Sequence, residues 1–141
     1  MRATSLTLAL LLLFTSANAA TAGSQTAGVG LELNRLEPLD GACRAYVVLQ
    51  NDTASTFRTF RYDLVVFDAD GIVTRRLALE TAPLSAGKTS LKVFDLADLA
   101  CEGIGRILVN DILECADQSG GRTDCLALVR PSTRSDVSLI K

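Results

Sequence analysis

The residues of this 141-residue chain with the most definite chemistry are its four cysteines, Cys43, Cys101, Cys115 and Cys125. Thiols hold metals, shuttle electrons or form structural disulfides, and their spacing separates these roles. No Cys-x-x-Cys pair occurs and the chain has no histidine, so redox and zinc chemistry both lack their usual arrangement. Structural bridges are the expectation. Four cysteines allow three pairings. Nine residues, Gly120-Gly121 among them, separate Cys115 from Cys125, a short loop whose closure favours that pair. Cys43 would then join Cys101.

The carboxylates come next. Asp68 and Asp70 stand beside Gly71 and invite comparison with a Ca²⁺ loop, but an EF-hand starting at Asp68 needs Gly at its sixth position and Glu at its twelfth, where this chain has Val73 and Leu79. A hairpin turn is the better reading. Asp111, Glu114, Asp117 and Asp124 gather late in the chain and read as solvated charge guarding a strand edge. Arg58, Arg61, Arg75 and Arg76 would make a patch for an anionic ligand or a partner if a hairpin folded them together. Cross-strand ion pairs with Asp63 and Glu80 are the plainer account.

Other chemistries lack their residues. Without histidine the commonest general base at neutral pH is missing, and Met1, the sole methionine, would be lost with a cleaved N-terminal signal, leaving a copper site no imidazole and no thioether to use. Gly103-Ile104-Gly105 lacks the third glycine of a dinucleotide loop and reads as a turn. Asn51-Asp52-Thr53 matches a glycosylation sequon but reads as the end of a strand. No enzymatic activity, cofactor or metal is expected.

The elements that must position these residues are short and alternate with period two. Leu31, Leu33 and Leu36 mark a strand over about 28–37, and Cys43, Ala45, Val47 and Leu49 mark a second. A third, about 57–68, sets Phe60, Tyr62, Leu64 and Val66 on one face; Asp68 to Gly71 then turns the chain into a fourth, 72–80. Leu91 and Val93 alternate with Lys92, Phe94 and Leu96 in a fifth, and residues 97–104 hold at most one helical turn around Asp98. A sixth strand runs over 106–115 and a seventh over 124–130, closed by Pro131. Seven short strands without a substantial helix predict an all-β, antiparallel β-sandwich of immunoglobulin-like or fibronectin-like plan over 30–131. A small barrel is the alternative. The chain has no tryptophan, which sets it apart from antibody domains.

The N-terminus predicts where this domain works. Arg2, an apolar run from Leu6 to Phe14, and Ala17-Asn18-Ala19 have the layout of a cleaved secretory signal over 1–19. That run of about nine residues is far short of the roughly 20 that span a bilayer. Cleavage would leave a flexible segment over 20–29, the domain, and a tail over 132–141. An oxidising compartment, the periplasm or the exterior, agrees with an even number of cysteines. The mature chain would carry 13 basic and 16 acidic residues with no basic block, so nucleic acid is a poor partner. Arginine outnumbers lysine 11 to 3, a usage associated with GC-rich bacterial genomes.

Between Cys43 and Cys125 the elements Val-Leu-Gln-Asn-Asp-Thr, Asp-Leu-Val-Val-Phe-Asp-Ala-Asp-Gly, Pro-Leu-Ser-Ala-Gly-Lys-Thr and Cys-Glu-Gly-Ile-Gly-Arg-Ile resemble those of small periplasmic proteins of alphaproteobacteria. The resemblance covers about residues 30–130, and its motifs are turns and core positions. It implies envelope work near channel components of the TolQ and ExbB type. The expected function is a non-enzymatic interaction module that binds an envelope protein. The alternative is a small-ligand or inhibitor domain acting through its hairpin loops.

Overall fold

The computed structural model describes residues 26–141. Nine strands run in chain order: β1 (Val29–Leu39), β2 (Ala42–Asn51), β3 (Phe57–Phe67), β4 (Val73–Glu80), β5 (Thr89–Ala97), β6 (Arg106–Asp117), β7 (Gly120–Gly121), β8 (Val129–Thr133) and β9 (Ser138–Ile140). One sheet has the order β5-β2-β1-β8; in the other β4-β3-β6 is extended by β7 and β9, both on the far side of β6. The apolar faces of the two sheets meet as a β-sandwich, as the period-two pattern predicts. The expected signal peptide and most of the segment 20–29 lie outside the described residues.

Alternation decides what is inside. Leu31, Leu33, Cys43, Ala45, Val47 and Leu49 of the first sheet and Phe60, Tyr62, Leu64, Val66, Ile107 and Val109 of the second are buried. Phe60 anchors an aromatic row, edge-on to Phe57 at 5.0 Å and tilted against Tyr62 at 5.1 Å between ring centres. A bulge between Leu33 and Arg35 adds one residue to β1, which returns Leu36 to the core side opposite Ala45. That irregularity explains why Leu36 breaks the spacing of Leu31 and Leu33.

The Tyr62 hydroxyl is buried without a protein partner, and desolvation pushes its ionisation well above the ordinary phenol range. Tyr62→Phe removes an unpaired polar atom and should raise unfolding free energy by about 1 kcal/mol in urea titrations. A loss of that size would show that the hydroxyl is satisfied after all. The phenol stays protonated in the fold while the unfolded chain ionises near pH 10. The parent protein should therefore lose stability above about pH 10 more steeply than the Tyr62→Phe variant.

The expectations for the C-terminal part need correction. Residues 124–130 are not a seventh strand: Cys125–Leu128 form a single helical turn, α1, and the strand begins at Val129. The Cys115–Cys125 bridge holds this turn beside β6, and the α1 backbone curls instead of pairing. Pro131 does not close a strand but sits inside β8, opposite Leu31, where a residue without an N–H is tolerated because β8 is an edge. The sheets are also mixed, not wholly antiparallel, because β8 joins β1 and β9 joins β6 in parallel. Residues 132–141 thus complete β8 and form β9 instead of trailing as a tail. Lys141 fixes the end, its Nζ donating to the carbonyls of Leu126 (3.1 Å) and Val129 (2.8 Å).

The helical turn expected around Asp98 lies slightly later, a 3₁₀ turn over Cys101–Gly103, while Asp98 itself follows β5 with φ of 56°. The turn at Gly71 has the positive φ, 81°, that only glycine adopts freely. Asn51 is more than a strand end. Its buried amide donates to Ser55 and Leu84 carbonyls at 2.8 and 3.0 Å, and its Oδ1 accepts from Thr53 Oγ1 at 2.7 Å, tying the β2–β3 and β4–β5 connections together.

Candidate functional site

The two disulfides are Cys43–Cys101 and Cys115–Cys125, with Cα atoms 4.9 and 6.4 Å apart, and no cysteine is free. Cys115–Cys125 is the pairing that loop length favours, and Cys43–Cys101 is the one it leaves. The first bridge pins the 3₁₀ turn to β2 at one end of the sandwich. The second pins α1 to the far side of β6. All four thiols are therefore consumed by structure.

The four arginines do not form one patch. Arg76 and Arg61 share the outer face of the second sheet, opposite Val65 and Glu80 in register, whereas Arg75 pairs with Val66 and takes the inner-face parity. The other three have separate engagements. Arg76 grips the buried Asp63 with two bonds, 2.8 and 2.9 Å, and Asn110 donates a third to that carboxylate at 2.6 Å. Arg61 bonds Glu114 on β6 at 3.0 Å instead of Glu80. Glu80 Oε1 accepts the backbone N–H groups of Phe60 (3.1 Å) and Ala82 (2.8 Å). Arg58 donates to the Asp117 carbonyl with Nε (3.1 Å) and Nη2 (2.9 Å).

The hydrogen bonds from Arg76 hold the Asp63 carboxyl below the ordinary aspartate range, against the opposing effect of burial. A carboxylate shifted this way binds protons less readily in the fold than in the unfolded chain. Its contribution is complete above about pH 4 and is lost as pH falls through the lower, folded value. Arg76→Ala should therefore lower the urea midpoint at pH 7 while changing it far less at pH 2.5. Equal losses at both pH values would show that Arg76 acts through packing alone.

The late carboxylates are not free either. Arg122 joins Asp117 (3.1 Å) and Asp124 (2.6 Å) while its guanidinium lies 5.7 Å from the Phe57 ring centre. This central cation carries no signal in the sequence, where it is only one arginine beside a glycine pair. Asp68 Oδ1 accepts the N–H groups of Asp70 (3.0 Å) and Ile72 (2.8 Å), the bonding of a turn. Among the described residues no cluster of three or more potential ligands is placed to hold a metal ion.

The surface offers shallow grooves. One is lined by Asn34, Arg35, Leu36, Glu102, Arg134 and Asp136, with Arg35 already bonded to Glu37 and Arg134 to Glu32. Large exposed apolar side chains occur elsewhere, at Ile72, Val73, Leu91, Val93, Leu113 and Ile140. Leu91 (60% exposed) and Val93 (41%) stand out by position. Both lie on the outer face of β5, opposite Val48 and Tyr46, and β5 is an edge strand over its whole length. Sequence alternation separated these residues from Lys92, Phe94 and Leu96 but left open which set faces solvent.

The class defined by fold and bridges is a disulfide-held β-sandwich with an apolar free edge. No protein-family pattern and no curated protein sequence matches the chain. Among solved structures it is similar to IrmA from Escherichia coli, at 15% identity with a TM-score of 0.55. The match covers 75% of this chain and 92% of that one. The similarity is one of fold. No helix among the described residues is long and apolar enough to cross a membrane.

Proposed function

We propose that this chain is a non-enzymatic, exported protein-interaction module of the bacterial cell envelope, working in the periplasm or outside the cell. The observation that carries the reading is the free β5 edge with Leu91 and Val93 turned to solvent. Natural sandwiches rarely leave a long apolar edge open without a use for it, because such an edge templates pairing with another chain. Two disulfides support an oxidising compartment. An accessory role beside TolQ- or ExbB-type channels rests on the sequence resemblance alone.

Crosslinking in the native envelope, followed by mass spectrometry, should recover one recurrent protein attached to this chain. Recovery of none above the background of an unrelated exported protein would contradict the reading. A second reading, an inhibitor domain that inserts a hairpin into another protein's cleft, is favoured by one observation: Ile72 (64%) and Val73 (55%) are exposed at the β3–β4 tip. Replacing both by serine should abolish capture under that reading and leave it unchanged under the first.

A further inference from the structure

We infer that β5 is a strand-addition site for an extended, largely apolar protein segment that carries a carboxylate facing Lys92; this rests on the interaction-module reading and specifies the partner's chemistry. The five strand edges of the sandwich are not equivalent. β7 and β9 are two and three residues long, and β8 carries Pro131. Short length and proline both blunt an edge. The outer face of β4 presents Arg76 and Glu80, both engaged with partners on β3 or at its own end. β5 has nine residues, hydrogen-bonds β2 on one side and leaves its other side open. Alternate N–H and C=O groups along that side await partners.

The side chains along this edge define two different tracks. On the outer face Leu91 and Val93 continue the apolar surface of Val48 and Tyr46. On the other parity Phe94 and Leu96 pack toward the core, and Lys92, opposite Val47 and only partly exposed, is the one charged residue of that face of β5. Lys88 stands just before the strand and is exposed. Every ion pair among the described residues is made by an arginine, and neither of these lysines takes part in one. The carboxylate of β5 itself is spoken for, since Asp95 is held by Arg44 at 2.7 and 3.0 Å.

An inward cation at a sheet edge repels ordinary apolar strands, because their pairing would leave it desolvated and unpartnered. A strand carrying a carboxylate at the facing position satisfies it. The same strand's intervening residues then fall on the outer face, where Leu91 and Val93 call for aliphatic side chains. Main-chain bonds supply affinity in this mode and alternate side chains supply selectivity. Lys92 thus acts as a filter on the edge as well as a guard of it.

The test uses the disulfide-bonded protein and two capped nine-residue peptides that alternate valine with threonine and carry at one central threonine position either glutamate or lysine, followed by amide NMR. The glutamate peptide should shift and protect amides of residues 89–97 and bind about fivefold or more tightly than the lysine peptide. Lys92→Glu should reverse that order while leaving the rest of the spectrum intact. Equal binding of both peptides, binding of neither at millimolar concentration, or shifts centred outside β5 would overturn the inference. So would concentration-dependent shifts of the same amides without peptide, which would assign the edge to a second copy of the chain. These outcomes do not depend on envelope capture. A partner captured through another surface would sink the inference and spare the function.

Discussion

Replacing Cys43 and Cys101 together by alanine is expected to lower the unfolding free energy by about 4 kcal/mol. The bridge spans a separation of 58 residues, and a crosslink that long removes more freedom from the unfolded chain than a local one. The same reasoning gives about 3 kcal/mol for Cys115 and Cys125, separated by 10 residues. Domains of this size commonly hold only about 5–15 kcal/mol in total, so the first double variant should be close to unfolding at 37 °C. Urea titrations of the two variants read the difference directly. A smaller loss for the long-range bridge than for the local one would show that residual structure or local packing, not chain entropy, governs their effect.

Gly105→Ala should cost about 3 kcal/mol, although the position is neither a sharp turn nor in the left-handed region. Its backbone N–H donates to the Phe67 carbonyl at 2.8 Å, which draws it against the start of the β3–β4 hairpin. A Cβ there would meet the carbonyl oxygen of Asp68, its carbon at 2.6 Å and the Ala69 nitrogen at 2.9 Å. All three are backbone atoms, so no side chain can swing away. Either the Phe67–Gly105 bond breaks or the hairpin shifts, and Phe67 with Arg106 stacked on it at 4.5 Å shifts too. Gly121→Ala is the control, with open space around it and an expected change within about 0.5 kcal/mol. Since Gly→Ala by itself restricts the unfolded chain and favours the fold, similar losses at both glycines would show that the Asp68 contact is not the cause.

Strand alternation made most of the sandwich legible, because one buried face per sheet imposes period two on every strand from β1 to β6. The disulfides were legible for a related reason: loop length discriminates among so few cysteines. The C-terminal part was not. Leu126 and Leu128 look like strand residues in isolation, and only the tether from Cys125 to Cys115 and the burial of Val129 beside Val29 place a helical turn there. β9 is three residues long, too short for a period to show.

The candidate site was legible in residue type and illegible in sidedness. Arginines stand out by type in the sequence, yet in the fold Arg58, Arg61 and Arg76 are occupied by Asp117, Glu114 and Asp63. Leu91 and Val93 look like core residues by composition, whereas the fold gives the inner face to Phe94 and Leu96. Parity separates the two sets but cannot say which one a partner sheet covers.

Photo-crosslinking from single positions, in cells making the full chain, tests the interaction account most directly. A photoreactive residue at Leu91 or Val93 should yield one discrete adduct, and the same probe at Ile72 or Leu113 should yield none. Lys92→Glu combined with the Leu91 probe should abolish that adduct. Adducts from Ile72 alone, or from no position, would contradict the assignment of β5 as the surface through which this domain works.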